Sequence, residues 1–215
     1  GSSFKHYRED WVFRATYNYA MRYMLELNGC YNGSEKFGPD YRFKFFPSAS
    51  LGWTITEEPF MKDIRKYVDM FKVRASWGRI GDDSTGGSYL YTDQYSYGGK
   101  TYLGGDATYD SPYTIYRLTR IGNPNVRWET SEKRNLGFDF GFLGGLLTGS
   151  LDVFSDKRTD VLLTTRSIPS YYGMSYTVAN MGSVDAKGYE LSLKVNKAWN
   201  KNLRTWANFN MTHAT

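Results

Sequence analysis

The chain is poor in cysteine, proline and histidine, and it holds no long apolar run. One cysteine, Cys30, excludes a disulfide within the chain and leaves the compartment open. The two histidines, His6 and His213, stand near opposite ends, so a His-based metal pair or a catalytic triad has little support. Nothing approaches the ~18 consecutive apolar residues that a membrane-crossing helix needs. That excludes a helical membrane protein but not a strand-built one, in which half of each strand and all of the loops are polar. The net charge of +5 is modest, and the basic residues alternate with acids, as in KDIRKYVD. No single basic face follows from that, so nucleic acid is not an expected partner. No phosphate-cradling Gly motif is present, and no cofactor is expected. Residues 1–10 lack a charged-then-apolar signal pattern, and 208–215 stop inside an alternating run. Both ends look cut, and residues 1–215 are expected to be part of something longer.

What the chain has in quantity is aromatic residues and glycine. Tyr, Phe and Trp make up 18% of it, beside 22 Gly, a mix that favours strands and turns. Apolar residues recur at every second position in eight runs. Trp11, Phe13, Ala15, Tyr17 and Tyr19 share a face; so do Tyr23, Leu25, Leu27 and Tyr31. Phe45, Ala49, Leu51 and Trp53 form the third set, and Phe71, Val73, Ala75 and Trp77 the fourth. Leu136, Phe138, Phe140 and Phe142 make the fifth, followed after Gly144-Gly145 by Leu147, Leu151 and Val153. Tyr189, Leu191, Leu193 and Val195, then Leu203, Ala207, Phe209 and Met211, complete the set. The intervening positions are mostly polar or small, so each run reads as a strand with one apolar and one wet face. Gly-Gly between two such runs is a hairpin signal. Pro59, Phe60, Met61 and Ile64 suggest a short helical turn between the third and fourth runs.

The connections alternate in length. Short links join the first and second, third and fourth, fifth and sixth, and seventh and eighth runs. Segments 82–134 and 157–186 read as long loops on the other side, longer than a compact soluble domain usually carries. Short turns on one side and long loops on the other are the pattern of an outer-membrane barrel. Trp11, Trp53, Trp77 and Trp199 fall near run ends, where an interfacial aromatic girdle sits. A soluble β-sandwich also has alternating strands, and from pattern alone both architectures stay open.

Five blocks, in order, carry a resemblance. FPSASLGWTITEEPFMKD and FKVRASWGRIGDDS follow the strand pair before them; then come IGNPNVRWETSEKRNLGFDFGF, the segment ending SLDVFSDKRTDVLL, and ANMGSVDAKGYELSL. Together they resemble the barrel of SusC/RagA-type TonB-dependent outer-membrane transporters. The resemblance implies an all-β fold: an antiparallel transmembrane β-barrel segment of about eight strands, with short periplasmic turns and long extracellular loops. Family barrels have about 22 strands, so the chain covers a minor part, without the plug domain, the TonB box or the terminal strands. It implies a barrel wall of an outer-membrane importer of large nutrients, with a SusD-like surface lipoprotein, TonB, outer-membrane lipid and a glycan or peptide cargo as partners. No catalysis is implied.

The loop tyrosines Tyr89, Tyr91, Tyr95, Tyr97, Tyr102, Tyr171, Tyr172 and Tyr176 are the candidate substrate contacts, because a phenol ring stacks on sugars and adds a hydrogen bond. The competing role is packing of the loops among themselves. Asp82, Asp83, Asp93, Asp106 and Asp110 lack EF-hand spacing and read as solvated loop acids rather than calcium ligands. Arg14, Glu26, Lys72, Arg74, Asp139, Asp152, Glu190 and Lys194 fall on the wet face, where polar contacts to a plug are expected. An alternative function, a soluble or cell-surface β-domain that binds carbohydrate through Tyr-rich loops, separates from the barrel reading by fractionation. The parent protein is expected to pellet with membranes and to need detergent for extraction; recovery in the soluble fraction would remove the barrel reading.

Overall fold

The computed structural model describes residues 6–84, 87–101, 113–164, 178–200 and 202–215. Ten strands form in chain order: β1 (Arg8–Tyr19), β2 (Tyr23–Ser34), β3 (Phe43–Thr54), β4 (Val68–Asp82), β5 (Gln94–Thr101), β6 (Tyr113–Arg120), β7 (Glu129–Phe142), β8 (Leu147–Thr164), β9 (Val178–Ala198) and β10 (Arg204–Ala214). Eight make one antiparallel sheet in the order β1-β2-β3-β4-β7-β8-β9-β10, and β5 pairs with β6 alone. The eight runs legible as alternation are the eight strands of the main sheet. Two 3-10 turns, Ile55–Glu57 and Pro59–Met61, occupy the expected helical turn before β4.

The registers keep the two faces separate across the whole sheet. Tyr19, Tyr23, Trp53, Val73, Phe138, Leu151, Leu191 and Met211 lie in one cross-strand row. One residue over, the row reads Asn18, Met24, Gly52, Arg74, Gly137, Asp152, Glu190 and Thr212. Side chains of neighbouring rows leave opposite sides of a pleated sheet. Among the described residues no second layer covers the apolar rows. Phe13, Tyr17, Leu51, Val153 and Phe209 are each about half exposed or more. A contiguous apolar face of eight strands exceeds what a soluble monomer presents. The sandwich alternative fails on this point, because its apolar rows would meet inside a core.

The buried core lies instead at the loop end. Phe37, Phe46, Leu90, Val126, Trp128, Leu162 and Val178 pack together, with Cys30 and Tyr91 against them. These residues come from the β2–β3 loop, β3, the long β4–β7 connection, β8 and β9. Trp128 is fully buried. Its indole N–H donates to the Arg42 carbonyl at 3.0 Å. The Phe37 ring lies tilted 5.1 Å from it, and Phe46 meets it edge-on at 5.6 Å. Edge and tilted contacts suit the quadrupoles of such rings.

Three expectations change. Segment 82–134 is not all loop, for it contains the β5–β6 hairpin. Tyr97 to Lys100 is irregular there, and the break in period hid the strands. Segment 157–186 is not all loop, because β8 runs on to Thr164 and β9 begins at Val178. The pairing crosses an irregularity between Arg158 and Leu162, where Asp160 has φ +58°, and this offset breaks the alternation in the sequence. Trp77 lies well inside β4 rather than near a strand end.

Truncating Trp128 should therefore loosen the loop end as a unit. Trp128→Ala is expected to destabilise the parent protein by about 3–5 kcal/mol, read as a lower urea midpoint in detergent micelles; an unchanged midpoint would place the loop core outside the folded unit.

Candidate functional site

Charged side chains of the polar face pair across strands, and β7 makes the space for them. Arg74 on β4 sits directly opposite Gly137 on β7, which sits opposite Asp152 on β8. With no side chain at Gly137, the guanidinium passes over β7. A Cβ there would stand 2.6 Å from Asp152 Oδ1 and 2.8 Å from an Arg74 nitrogen. Arg74 grips Asp139 through two hydrogen bonds, at 2.7 and 2.9 Å, and reaches Asp152 at 3.2 Å. Such forked pairs are the strong ones. Asn135 also donates to Asp152, at 2.9 Å, while its own buried Oδ1 has no partner among the described residues. Nearer β1, Arg14 donates to Glu26 at 2.7 Å and Asn28 to the same carboxylate at 2.9 Å. Of the eight charged residues assigned to this face, five are thus joined. Lys72, Glu190 and Lys194 have no side-chain partner among the described residues. Between β1 and β4 the face hollows into an open cavity of about 490 Å³ that includes Thr16, Glu26, Ser50, Lys72 and Arg74.

At the loop end the β5–β6 hairpin rises from a pinned base. Leu90 N–H donates to the Lys36 carbonyl at 3.1 Å, and Asn123 N–H to the Leu90 carbonyl at 2.9 Å. The Arg120 guanidinium holds the Ser88 and Tyr89 carbonyls at 3.1 and 3.0 Å. Asn123 and Arg127 fasten the far side to β9 and β8, through the Val178 carbonyl and through Asn180 and Asp160. The two legs cross so closely that a Cβ on Gly122 would lie 2.4 Å from the Thr92 backbone.

The structure divides the candidate tyrosines. Tyr89 and Tyr91 are half-buried in the base, with ring centroids 6.4 Å apart, and Tyr91 packs on the core. Tyr95 and Tyr97 project from β5 at 63% and 61% exposure. Their cross-strand partners are Leu118 and Tyr116, so Tyr95, Tyr97 and Tyr116 share one face of the hairpin. Tyr116 is 68% exposed and meets Tyr97 edge-on at 6.3 Å. Tyr116 was not singled out in the sequence, and only the pairing of β6 brings it to the other two. Tyr102, Tyr171, Tyr172 and Tyr176 lie outside the described residues, as do Asp106 and Asp110. Asp82, Asp83 and Asp93 do not converge. Asp82 accepts the Ser84 N–H, Asp83 pairs with Arg8, and Asp93 accepts the Gly122 N–H.

A third cluster, missed in the sequence, closes the turn end. Glu58 is buried between the two 3-10 turns and accepts the Tyr23 hydroxyl at 2.6 Å and the Trp53 indole N–H at 3.0 Å on one oxygen. Arg22 stands 3.9 Å from the other oxygen. The TEEP segment carries no periodic signal that would reveal this; strands β2 and β3 bring the donors to it. The Tyr23 hydrogen bond first, then that of Trp53, holds the Glu58 carboxyl below the usual glutamate range.

The sequence matches the model of a family described as TonB dependent receptor-like, beta-barrel, over residues 4–215. It is 32% identical over 202 residues to the TonB-dependent receptor SusC of Bacteroides thetaiotaomicron, covering 93% of this chain and 19% of that protein. It is 31% identical over 194 residues to the TonB-dependent receptor P3 of Formosa agariphila, covering 90% and 18%. The chain thus spans less than a fifth of the length of these relatives. Among solved structures, the RagAB peptide importer in its closed-closed state matches with TM-score 0.82 at 20% identity, over 97% of this chain and 22% of that one. The siderophore receptor PirA from Pseudomonas aeruginosa matches with TM-score 0.56 at 16% identity, over 97% and 34%.

The Glu58 corner has a definite pH sign. A carboxyl whose folded pKa is depressed contributes stability that is complete above its ordinary value and lost as pH falls through the folded one. The stability gap between the parent protein and its Glu58→Gln variant should therefore narrow as pH drops below about 4.5, the ordinary value. Thermal melts from about pH 3 to about pH 7 would check it, and a constant gap would contradict it.

Proposed function

The chain belongs to the TonB-dependent receptor-like β-barrel family, of the SusC/RagA type, and from that premise we propose that it forms part of the wall of an outer-membrane importer of large nutrients. One observation carries the reading: eight antiparallel strands keep an unbroken apolar face on one side and a charged, hydrogen-bonded face on the other. Such a sheet spans hydrocarbon without orphaned backbone groups when its edges are closed by further strands. Residues 1–215 then all belong to the barrel. The apolar face meets lipid, the polar face lines the lumen, the tight turns lie at the periplasmic end and the loops outside.

On this reading Lys72, Glu190 and Lys194, which remain unpaired on the lumenal side, are the groups free to meet a plug, while Arg74 with Asp139 and Asp152 braces the wall. The exposed tyrosines of the β5–β6 hairpin contact incoming cargo, an oligosaccharide or a peptide. RagAB is a peptide importer, and a flat aromatic face suits either cargo. A SusD-like lipoprotein outside and TonB inside are the partners of this reading. It includes no catalytic step.

The test is transport by the intact parent protein. Uptake of an oligosaccharide or peptide cargo is expected to stop when TonB is depleted. Tyr95→Ala/Tyr97→Ala/Tyr116→Ala is expected to weaken cargo binding about tenfold, the ~1.4 kcal/mol that one or two lost ring contacts supply, with the folded barrel's gel mobility intact. Cargo uptake indifferent to TonB would overturn the importer reading, and unchanged affinity in the triple variant would remove the hairpin from it.

A further inference from the structure

We propose that the turn end of the apolar face binds one ordered phospholipid, with an acyl chain in the groove over Ala75 and the phosphate on Arg22. The inference rests on the membrane reading above and adds a site to it. Along the row Tyr17, Leu25, Leu51, Ala75, Leu136 the side chain shrinks to a methyl group at Ala75. Taller neighbours surround the gap: Leu51 on one side, Leu136 on the other, and Val73 two residues along β4. The result is a groove of about 330 Å³ between Tyr17, Tyr23, Leu25, Leu51, Trp53 and Ala75, lined almost wholly by apolar atoms. At ~30 Å³ for a water-sized group, it takes roughly ten carbons, a long stretch of one acyl chain.

The groove has an end, and the end is polar. Tyr23 and Trp53 border it toward the turns, and both turn their polar tips to Glu58. Arg22 immediately precedes Tyr23, and its carbonyl accepts the Thr54 N–H at 2.8 Å. Its guanidinium comes within 3.9 Å of Glu58, too far for a hydrogen bond, and about a third of the side chain is exposed. No hydrogen bond to that guanidinium exists among the described residues, so its donors are free for a second anion. A phosphate is that anion, since a guanidinium fork matches it. The Glu58 carboxylate beside it offsets the charge of Arg22, which favours a zwitterionic head group over a net anion. An apolar slot that ends at a fork of unused donors fits an amphiphile with one alkyl chain and one phosphate. Bulk lipid alone would need the slot but not the fork.

The experiment is native mass spectrometry of the intact parent protein, delipidated in detergent and titrated with dioleoylphosphatidylethanolamine. One lipid is expected to bind ahead of the nonspecific background. Ala75→Leu, which fills the groove, should abolish that first adduct; Arg22→Gln, which keeps the groove, should weaken it about tenfold. Ala207→Leu, on the apolar face of β10, should leave it unchanged. Retention of the adduct at full affinity in both Ala75→Leu and Arg22→Gln overturns the site. So does equal displacement by dodecyl maltoside, which has the chain but no phosphate. Cargo uptake in the same variants is expected at the wild-type level, so failure of the lipid site leaves the importer reading standing, and failure of uptake in the unmutated protein is a separate result.

Discussion

The register between strands is the constraint on which the other features depend. Because side chains alternate with period two, a slip of one residue at any ladder would carry a whole strand's rings to the polar side and its charges to the apolar one. Where the seven ladders of the main sheet meet along the row from Tyr19 to Met211 they hold one phase, so that row stays apolar across eight strands. In hydrocarbon the cost of a wrong phase is severe, since a charge or an unpaired backbone group has no water to turn to. The backbone ladder satisfies the amides, and the phase satisfies the side chains.

Within that frame the polar face has its own problem, which is like charge at close range. Asp152 lies directly opposite Glu190, an arrangement that destabilises a sheet when left alone. Arg74 relieves it from two strands away, and it reaches Asp152 because β7 presents Gly137 at the crossing point. The same side chain holds Asp139 with its other nitrogen. One arginine therefore ties β4, β7 and β8 together on the side that hydrogen-bonded ladders alone would leave as a row of separate charges. Exposed pairs contribute little singly, but a forked arginine joining two carboxylates is a network.

The two ends of the strands are closed by different means. At the turn end, Glu58 collects a hydroxyl and an indole N–H, so short connections are locked by hydrogen bonds. At the loop end, hydrophobic packing around Trp128 gathers segments far apart in sequence, and the hairpin stands on that base. This packed base holds the exposed rings of the hairpin clear of the loop core. It also explains why Tyr89 and Tyr91 differ from Tyr95 and Tyr97: the first pair belongs to the platform and the second stands above it.

Alternation is a local property, and so the eight wall strands, their faces and the short turn before β4 were legible in the sequence, as were Arg74, Asp139 and Asp152 as residues of the wet face. The family resemblance in five ordered blocks was legible too. What the chain by itself left open was everything that depends on which strand stands beside which. That Gly137 is a passage for Arg74, that Tyr116 joins Tyr97, and that Glu58 meets Tyr23 follow from contacts between residues far apart in the chain, 78 residues for Arg74 with Asp152 and 35 for Tyr23 with Glu58. The irregularities at Tyr97–Lys100 and Arg158–Leu162 show the same division. A residue that steps out of the pleat erases the period that marks a strand, while the hydrogen bonds of its neighbours keep the strand in place. Local pattern determined the two faces; long-range pairing alone decided what each face brings together.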